Sequence, residues 1–261
     1  AGGRILADLT DQRRHPWFVD ALYAPIRLRT AGGFVPLVGD YGDPLRAREV
    51  YFDAGTRPND LKEYYLEAWR LTKDPQFAFL TWRYGKRTVE PPEEWARIGE
   101  DAKKTRDPLN TVPPRVLDDF GLAILETGQE YDDFTKKRSA TLRYGHSHTH
   151  GHNDALDLAV FGKGMRAISD LAAREGTPNP RLHKLHNTVE VDQTSMNNGD
   201  ALAAGWGWLE AFAPSEGVQY AEASQRACSH PQLTTYRRAI ALIDVGPEDS
   251  YVFNVFRVAG G

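Results

Sequence analysis

Four of the eight histidines stand at every second position of one short stretch, "GHSHTHGHND", as His146, His148, His150 and His152. Side chains alternate between the two faces of a strand, so this spacing would place all four imidazoles on one face. Imidazole nitrogens bind zinc, and they also transfer protons near neutral pH. The stretch therefore predicts a metal site or a catalytic face, with a solvated histidine-rich loop as the alternative.

Further candidate zinc ligands follow this stretch along the chain. Asp170 ends the apolar segment "MRAISD", and His183 and His186 lie in "RLHKLHNTVEVD". Zinc is usually held by four groups that converge from separate segments, and it accepts carboxylate oxygen as well as imidazole nitrogen. The sequence therefore favours one shared site. Gly145 and Gly151 flank the histidines, and we expect a bulge or a close backbone approach there.

Composition and charge exclude several classes of protein. The 32 basic and 36 acidic residues give a formal charge of -4, which is not the balance of a protein that binds nucleic acid or anionic membranes. No apolar run approaches the roughly 20 residues that span a bilayer, so we expect no membrane span. The single cysteine, Cys228, excludes a scaffold of intrachain disulfides. Composition does not determine the oligomeric state.

Both ends of the sequence have the appearance of cut ends. The chain begins "AGGRILADL", without an initiator methionine or a signal pattern. It ends in the alternating apolar run "SYVFNVFRVAGG", which is typical of a strand. We therefore expect a piece of a longer protein, truncated at its C-terminus.

The elements that position the histidines change character along the chain. The segments "RPNDLKEYYLEAWRLTKD", "DPQFAFLTWRYG" and "EPPEEWARIGEDAKK" have apolar residues at three- or four-residue spacing or a proline-and-acid opening, which predicts helices. Asp74 can cap the second of them, and "HPWFVDALYAPI" is a fourth, shorter candidate. From about residue 116, short apolar or alternating segments broken by glycine, with "HNTVEVD" among them, predict the strands of an antiparallel sandwich. We place the boundary near Pro113 and Pro114, with helices before about residue 112. The basic run "TKKRSATLR" is most simply a solvated face.

A resemblance to a known family appears in the combined motifs. "HGHNDALDLAVFGKGMRAISDL", the later "HNTVEVD" and the upstream "GGFVPLVGDYGD" together resemble the heparinase II/III-like polysaccharide lyases, a family that includes oligoalginate lyases. The resemblance implies an α+β multidomain chain. Residues 1–114 would form the C-terminal part of an α/α toroid, and residues 115–261 an antiparallel β-sandwich.

The resemblance also implies roles for particular residues. His150 matches the first histidine of the motif, which faces the substrate cleft and is catalytic. His152, Asp170 and His186 match the ligands of a structural zinc. The family usually has a glycine soon after the position of Asp170, whereas residues 171–173 are Leu-Ala-Ala, so we expect the local loop to depart from the family's.

The activity that the resemblance implies is β-elimination next to a uronate. Such a carbon-oxygen lyase acts on an anionic polysaccharide or oligosaccharide, with heparan-type glycosaminoglycan and alginate both open, and is periplasmic or secreted. The family's catalytic tyrosine lies ahead of a P-x-x-G-D loop, which matches "PLVGD" at residues 36–40 here. No segment here resembles its surroundings, and Tyr23 and Tyr41 are interpreted as packing or loop tyrosines. We therefore expect the base to lie outside this chain.

Two alternatives remain open from the sequence alone. A cupin-like metal-dependent enzyme would use His150, His152 and Asp157, with Gly164 closing its motif, but it leaves the helical half and "HNTVEVD" unexplained. A non-catalytic carbohydrate-binding sandwich would use the metal only to stabilise its fold.

Overall fold

The computed structural model describes residues 11, 13–36, 38, 59–84, 91–145, 152, 154–168, 185–192, 207–225 and 232–260. Its helices are α1 (Pro16–Leu22), α2 (Ala24–Arg27), α3 (Asn59–Thr72), α4 (Pro75–Tyr84) and α5 (Pro92–Ala102). Its strands are β1 (Arg115–Leu117), β2 (Leu122–Thr127), β3 (Arg138–Arg143), β4 (Leu158–Gly162), β5 (Met165–Arg166), β6 (Gly207–Pro214), β7 (Val218–Gln225), β8 (Leu233–Asp244) and β9 (Ser250–Gly260).

The helices begin where the sequence signals predict. Proline occupies the first turn of α1, α2 and α5. Main-chain N–H groups in the first turn make no hydrogen bond within the helix, so proline, which has no N–H, is tolerated there. The Asp74 carboxylate caps α4 by accepting from the main-chain nitrogen of Gln76 at 2.7 Å. Tyr65 and Trp69 of α3, Phe77 of α4 and Ile98 of α5 are buried in one apolar core. This core fixes the packing of the helices.

The strands form two antiparallel sheets that pack face to face. The first sheet has the order β1-β2-β3-β4-β5, and the second has the order β6-β7-β8-β9. Ala123, Leu125 and Leu142 of the first sheet share an apolar core with Ile240 and Leu242 of the second. The chain is therefore α+β with an antiparallel β-sandwich, as the sequence predicts.

The other face of the first sheet packs against residues that follow α2. The Phe34 ring lies 5.0 Å from that of Phe161, between ring centroids. Glu126 of β2, which is 3% exposed, accepts from the main-chain nitrogen of Ala31 at 2.6 Å and from the Thr30 hydroxyl at 3.1 Å. Its carboxylate also lies 3.3 Å from the guanidinium of Arg115. A buried polar joint therefore connects the helical segment to the sandwich.

Lys137 is a second polar connection between the two parts. It is 1% exposed, and its ammonium donates to the main-chain oxygen of Asn110 at 2.6 Å and to that of Gly128. Burial lowers the pKa of Lys137 from its ordinary 10.5 to about 8. The charged form is therefore disfavoured by folding.

A pH dependence of stability follows from this lysine. Because the folded pKa is depressed, the unfolded chain binds more protons here between about pH 8 and 10.5, and stability rises with pH by up to about 1.4 kcal/mol per pH unit. Lys137→Met removes this titration. The thermal midpoint of the wild type minus that of the variant should therefore increase as the pH rises from 8 to 10. Lys136→Met, at the neighbouring surface lysine, is the control. An equal difference at every pH would contradict the prediction.

Two expectations about this architecture stay predictions. The described helices precede residue 112 and the strands begin at Arg115, but five helices do not by themselves make a toroid. The domain ranges 1–114 and 115–261 likewise remain predictions. Within the described residues, no helix combines the length and apolar character needed to cross a membrane.

Candidate functional site

Two of the three predicted zinc ligands lie side by side. The ring centroids of His152 and His186 are 5.3 Å apart, with an angle of 47° between the ring planes. The two residues are only 2% and 7% exposed. Two imidazoles bound tetrahedrally to one zinc, at about 2.0–2.1 Å per Zn–N bond, have ring centres roughly 5 Å apart. The observed spacing therefore suits a shared metal ion.

The other predicted site residues lie outside the described part of the chain. They are His150, the predicted catalytic residue, and Asp170, the predicted third ligand. Their roles stay predictions. Among the described residues, no group of three or more histidine, cysteine or acidic side chains is placed to hold a metal.

The segment after His152 is held by a buried ion pair. The Arg143 guanidinium lies 2.8 Å from the Asp154 carboxylate, with both side chains 4% exposed. The same guanidinium donates to the main-chain oxygen of Phe120 at 3.1 Å. Leu156 donates its main-chain N–H to the Arg143 oxygen at 2.8 Å and has a left-handed φ of 62°. These contacts fix the path from His152 to β4.

Side chains from other elements bind the main chain of the segment after His186. Asp157 accepts from the main-chain nitrogen of Asn187 at 2.7 Å. The Tyr236 hydroxyl donates to the main-chain oxygen of Val189 at 2.7 Å. The sequence predicted a strand in "HNTVEVD", whereas the structure has turns there with one isolated bridge at residue 191. That prediction was wrong because tertiary contacts take up the main-chain groups.

The strand prediction for the histidine stretch also fails at its C-terminal end. β3 ends at Arg143, and neither His152 nor Asp154 lies in a strand. Strict alternation of faces therefore does not place His152. It stands just before the turn at residues 154–157, in which the Asp157 main-chain nitrogen donates to the Asp154 oxygen at 3.0 Å.

Glycines form the exit from β3 towards the histidines. A Cβ on Gly121 would lie 2.0 Å from the Gly145 Cα, and one on Gly145 would lie 2.3 Å from the Phe120 oxygen. The main-chain nitrogen of Gly145 donates to the Gly121 oxygen at 2.9 Å. The predicted close backbone approach at Gly145 is confirmed, and Gly151 lies outside the described residues.

Tyr23 in the helical core and Tyr144 at the exit from β3 do not have the properties of a base. The Tyr23 hydroxyl donates to the Asp74 carboxylate, and its ring lies 4.8 Å from that of Phe77. The Tyr144 hydroxyl donates to Asp118 at 2.8 Å. Burial, reinforced by these hydrogen bonds, raises the pKa of both phenols above the ordinary range. Tyr23 is therefore a packing residue, as predicted.

Comparison with solved structures connects this geometry to a known fold. The chain superposes on a heparinase III structure with a TM-score of 0.61 at 13% identity, covering 95% of this chain and 33% of that one. It superposes on the heparan sulfate lyase HepC from Pedobacter heparinus with a TM-score of 0.60 at 14% identity, again covering 95% and 33%. A further heparinase III structure gives a TM-score of 0.56 at 14% identity, with 98% and 38% covered.

The chain has the fold of the matching part of heparinase III. It spans about a third of the length of these lyases. No protein-family model and no curated protein sequence matches it. The heparinase III-like fold covers both the helical segment and the sandwich. The cupin-like alternative left the helical segment unexplained.

Some residues that shape the site were not identified from the sequence. Arg143, Asp154 and Asp157 bind the histidine-bearing segments, and Arg238 of β8 reaches them from the second sheet. Asp157 was considered only as a ligand of the cupin-like alternative. The order of residues gives no signal for these pairings, because the partners belong to different segments that only the fold brings together.

Proposed function

We propose that this chain is part of a lyase that cleaves uronic-acid-containing polysaccharide by β-elimination, with a structural zinc. The observation that carries the proposal is the buried pair His152 and His186, which meets inside a heparinase III-like fold. The substrate is an anionic polysaccharide or oligosaccharide, either a heparan-type glycosaminoglycan or alginate. A protein that meets such polymers is expected in the periplasm or outside the cell.

The zinc site of the proposal uses His152, His186 and Asp170. The described pair supplies two imidazoles with suitable spacing and burial, and Asp170 completes the set by its place in the motif. Zinc bound there would supply no redox chemistry and would cross-link separate segments of the sandwich. The pair is deeply buried, and this supports a structural role for the metal.

The chemical step requires three events at the uronate. A base removes the C5 proton, the C4–O4 bond breaks as a C4=C5 double bond forms, and the departing O4 takes a proton. The adjacent carboxylate must be neutralised for the C5 proton to leave. His150 is proposed to handle a proton or that carboxylate at the cleft, because imidazole exchanges protons near neutral pH.

The base is proposed to be a tyrosine outside this chain. Tyr23 and Tyr144 both donate to carboxylates, and their raised pKa values oppose deprotonation. The remainder of the full-length protein would then supply the tyrosine across the cleft.

The proposal is tested by incubating the full-length protein with heparan sulfate, heparin, alginate and, as a neutral control, dextran. We expect ultraviolet absorbance from the unsaturated uronate to grow with at least one uronate polymer and not with dextran. Elemental analysis should find about one zinc per chain. Binding of a uronate polymer without new absorbance would support the non-catalytic carbohydrate-binding alternative instead. Absence of zinc would remove the metal site.

A further inference from the structure

Arg238 is a buried arginine of the second sheet whose side chain reaches both histidine-bearing segments. It is 2% exposed. Its Nη1 donates to the main-chain oxygen of Leu156 at 2.8 Å and also to that of Asn187. Leu156 belongs to the turn that follows His152, and Asn187 follows His186 directly. One guanidinium therefore binds the main chain of both segments.

Further contacts fix the orientation of this guanidinium. Its Nη2 donates to the Asn187 side-chain oxygen at 2.7 Å, and its Nε donates to the Asn254 side-chain oxygen at 2.8 Å. It lies over the Phe256 ring, 5.3 Å from the ring centroid. Asn254 and Phe256 belong to β9, so the edge strand of the second sheet holds the arginine in place.

Asp157 provides a second link between the same two segments. It belongs to the turn after His152, and its carboxylate accepts from the main-chain nitrogen of Asn187 at 2.7 Å. Burial lowers the pKa of Arg238 to about 10, and the charge of Asp157 opposes that shift. Arg238 is therefore still a cation at neutral pH, where it makes charge-assisted hydrogen bonds.

We infer that Arg238 is a positioning residue that sets the separation of the His152 and His186 rings by binding the main chain beside each. Arginine suits this task because its planar fork presents several donors in fixed directions, whereas lysine offers one point charge. The inference rests on the proposed function only in that it takes this pair to be zinc ligands. The link between the segments is a property of the chain itself.

The test compares Arg238→Lys with Arg237→Lys in the full-length protein. Arg237 is its neighbour in β8, but points to the opposite face of the strand and pairs with Glu222 at 3.0 Å. Hydrogen exchange of metal-free protein is followed by mass spectrometry in peptides that cover residues 152–157 and 185–192. We expect Arg238→Lys to accelerate exchange in both peptides, and Arg237→Lys to leave both near wild type.

Zinc affinity gives a second readout, measured by competition with a chelator at a temperature where circular dichroism shows folded protein. We expect Arg238→Lys to weaken zinc binding about 10- to 100-fold, the usual effect of losing a group that orients metal ligands. The visible spectrum of the cobalt-substituted protein should change as well, because it reports ligand geometry. A purely structural arginine would lower the thermal midpoint and leave affinity and spectrum unchanged.

The outcomes separate this inference from the proposed function. Unchanged exchange in both peptides, or faster exchange in only one, overturns the positioning role even if the protein is an active zinc lyase. If Arg238→Lys accelerates exchange in both peptides but the wild type binds no zinc, the proposed metal site is overturned and the link between the segments is intact. If Arg238→Lys does not fold, Asn187→Ala removes one acceptor of the guanidinium and should accelerate exchange in the same peptides to a smaller extent.

Discussion

His150→Ala in the full-length protein should abolish turnover while zinc content and thermal midpoint stay near wild type. Residues that transfer protons in the transition state contribute about 10²- to 10⁴-fold to rate, so the loss should appear in kcat. The reason is the proposed division of labour: His150 faces the cleft, and the metal is held elsewhere. Initial rates of unsaturated-uronate formation, zinc content and melting of the same preparation provide the measurement.

His152→Ala is the counterpart of that substitution and should fail differently. His152 is buried against His186, so its removal leaves a cavity and takes away one predicted ligand. Zinc and stability should be lost together, because metal binding is coupled to folding. Activity would fall as a consequence. His15→Ala, at the start of α1, is the control and should keep both zinc and activity. If His150→Ala strips the metal, or keeps near-normal activity, the assignment of the motif is wrong.

Gly121→Ala should destabilise the sandwich by about 3 kcal/mol or more, since the new Cβ combines a left-handed backbone with a contact that no rotamer can relieve. Gly121 has φ of 61°, and the Cβ would lie 2.0 Å from the Gly145 Cα. Both partners are backbone, so one of the two segments must move. The movement would displace the chain as it leaves β3 for the histidines. The thermal midpoint and zinc content should therefore fall together.

Gly217→Ala is the matched control for this prediction. Gly217 also has a left-handed φ, 74°, but a Cβ there meets nothing within 4 Å. Gly217→Ala should lower the free energy of unfolding only by the strain of placing alanine in a left-handed backbone, roughly 1 kcal/mol. The difference between the two variants isolates the steric contact. Equal midpoints for the two would show that the Gly121 and Gly145 backbones are not in close contact.

The sequence predicted the elements whose stability is local. The Asp74 cap of α4 and the proline openings of α1 and α5 are visible as residue types at fixed positions. The segments that became β2 and β3 are short, rich in apolar residues and followed by glycine, which is typical of strands, and both strands are buried along their whole length. These predictions needed no knowledge of distant contacts.

The sequence could not predict elements whose main chain is bound by distant side chains. "HNTVEVD" has strand-like alternation, but Asp157 and Arg238 occupy the main-chain groups of Asn187. The basic run "TKKRSATLR" was interpreted as a solvated face, whereas Lys137 and Arg143 in it are buried. Each has acceptors supplied by another segment. The local sequence around a buried charged residue with such partners does not differ from that around an exposed one.

The contact between His152 and His186 was predictable mainly through the family resemblance. Spacing alone suggested a shared histidine site but also included His146, His148 and His183, which lie outside the described residues. The motif selected His152 and His186, and the structure brings these two together. Periodicity could not make that selection, because His152 lies in no strand.

The polar joint at Glu126 has a consequence for how the protein can be divided. A sandwich produced alone from residue 115 would keep Glu126 and Arg115 but lose the Ala31 nitrogen and the Thr30 hydroxyl that now satisfy the carboxylate. Lys137 would likewise lose its Asn110 acceptor. The Pro113–Pro114 boundary, which looks like a linker between independent units, is thus a poor place to cut. Proteolysis there should yield two halves that stay associated until the whole structure melts.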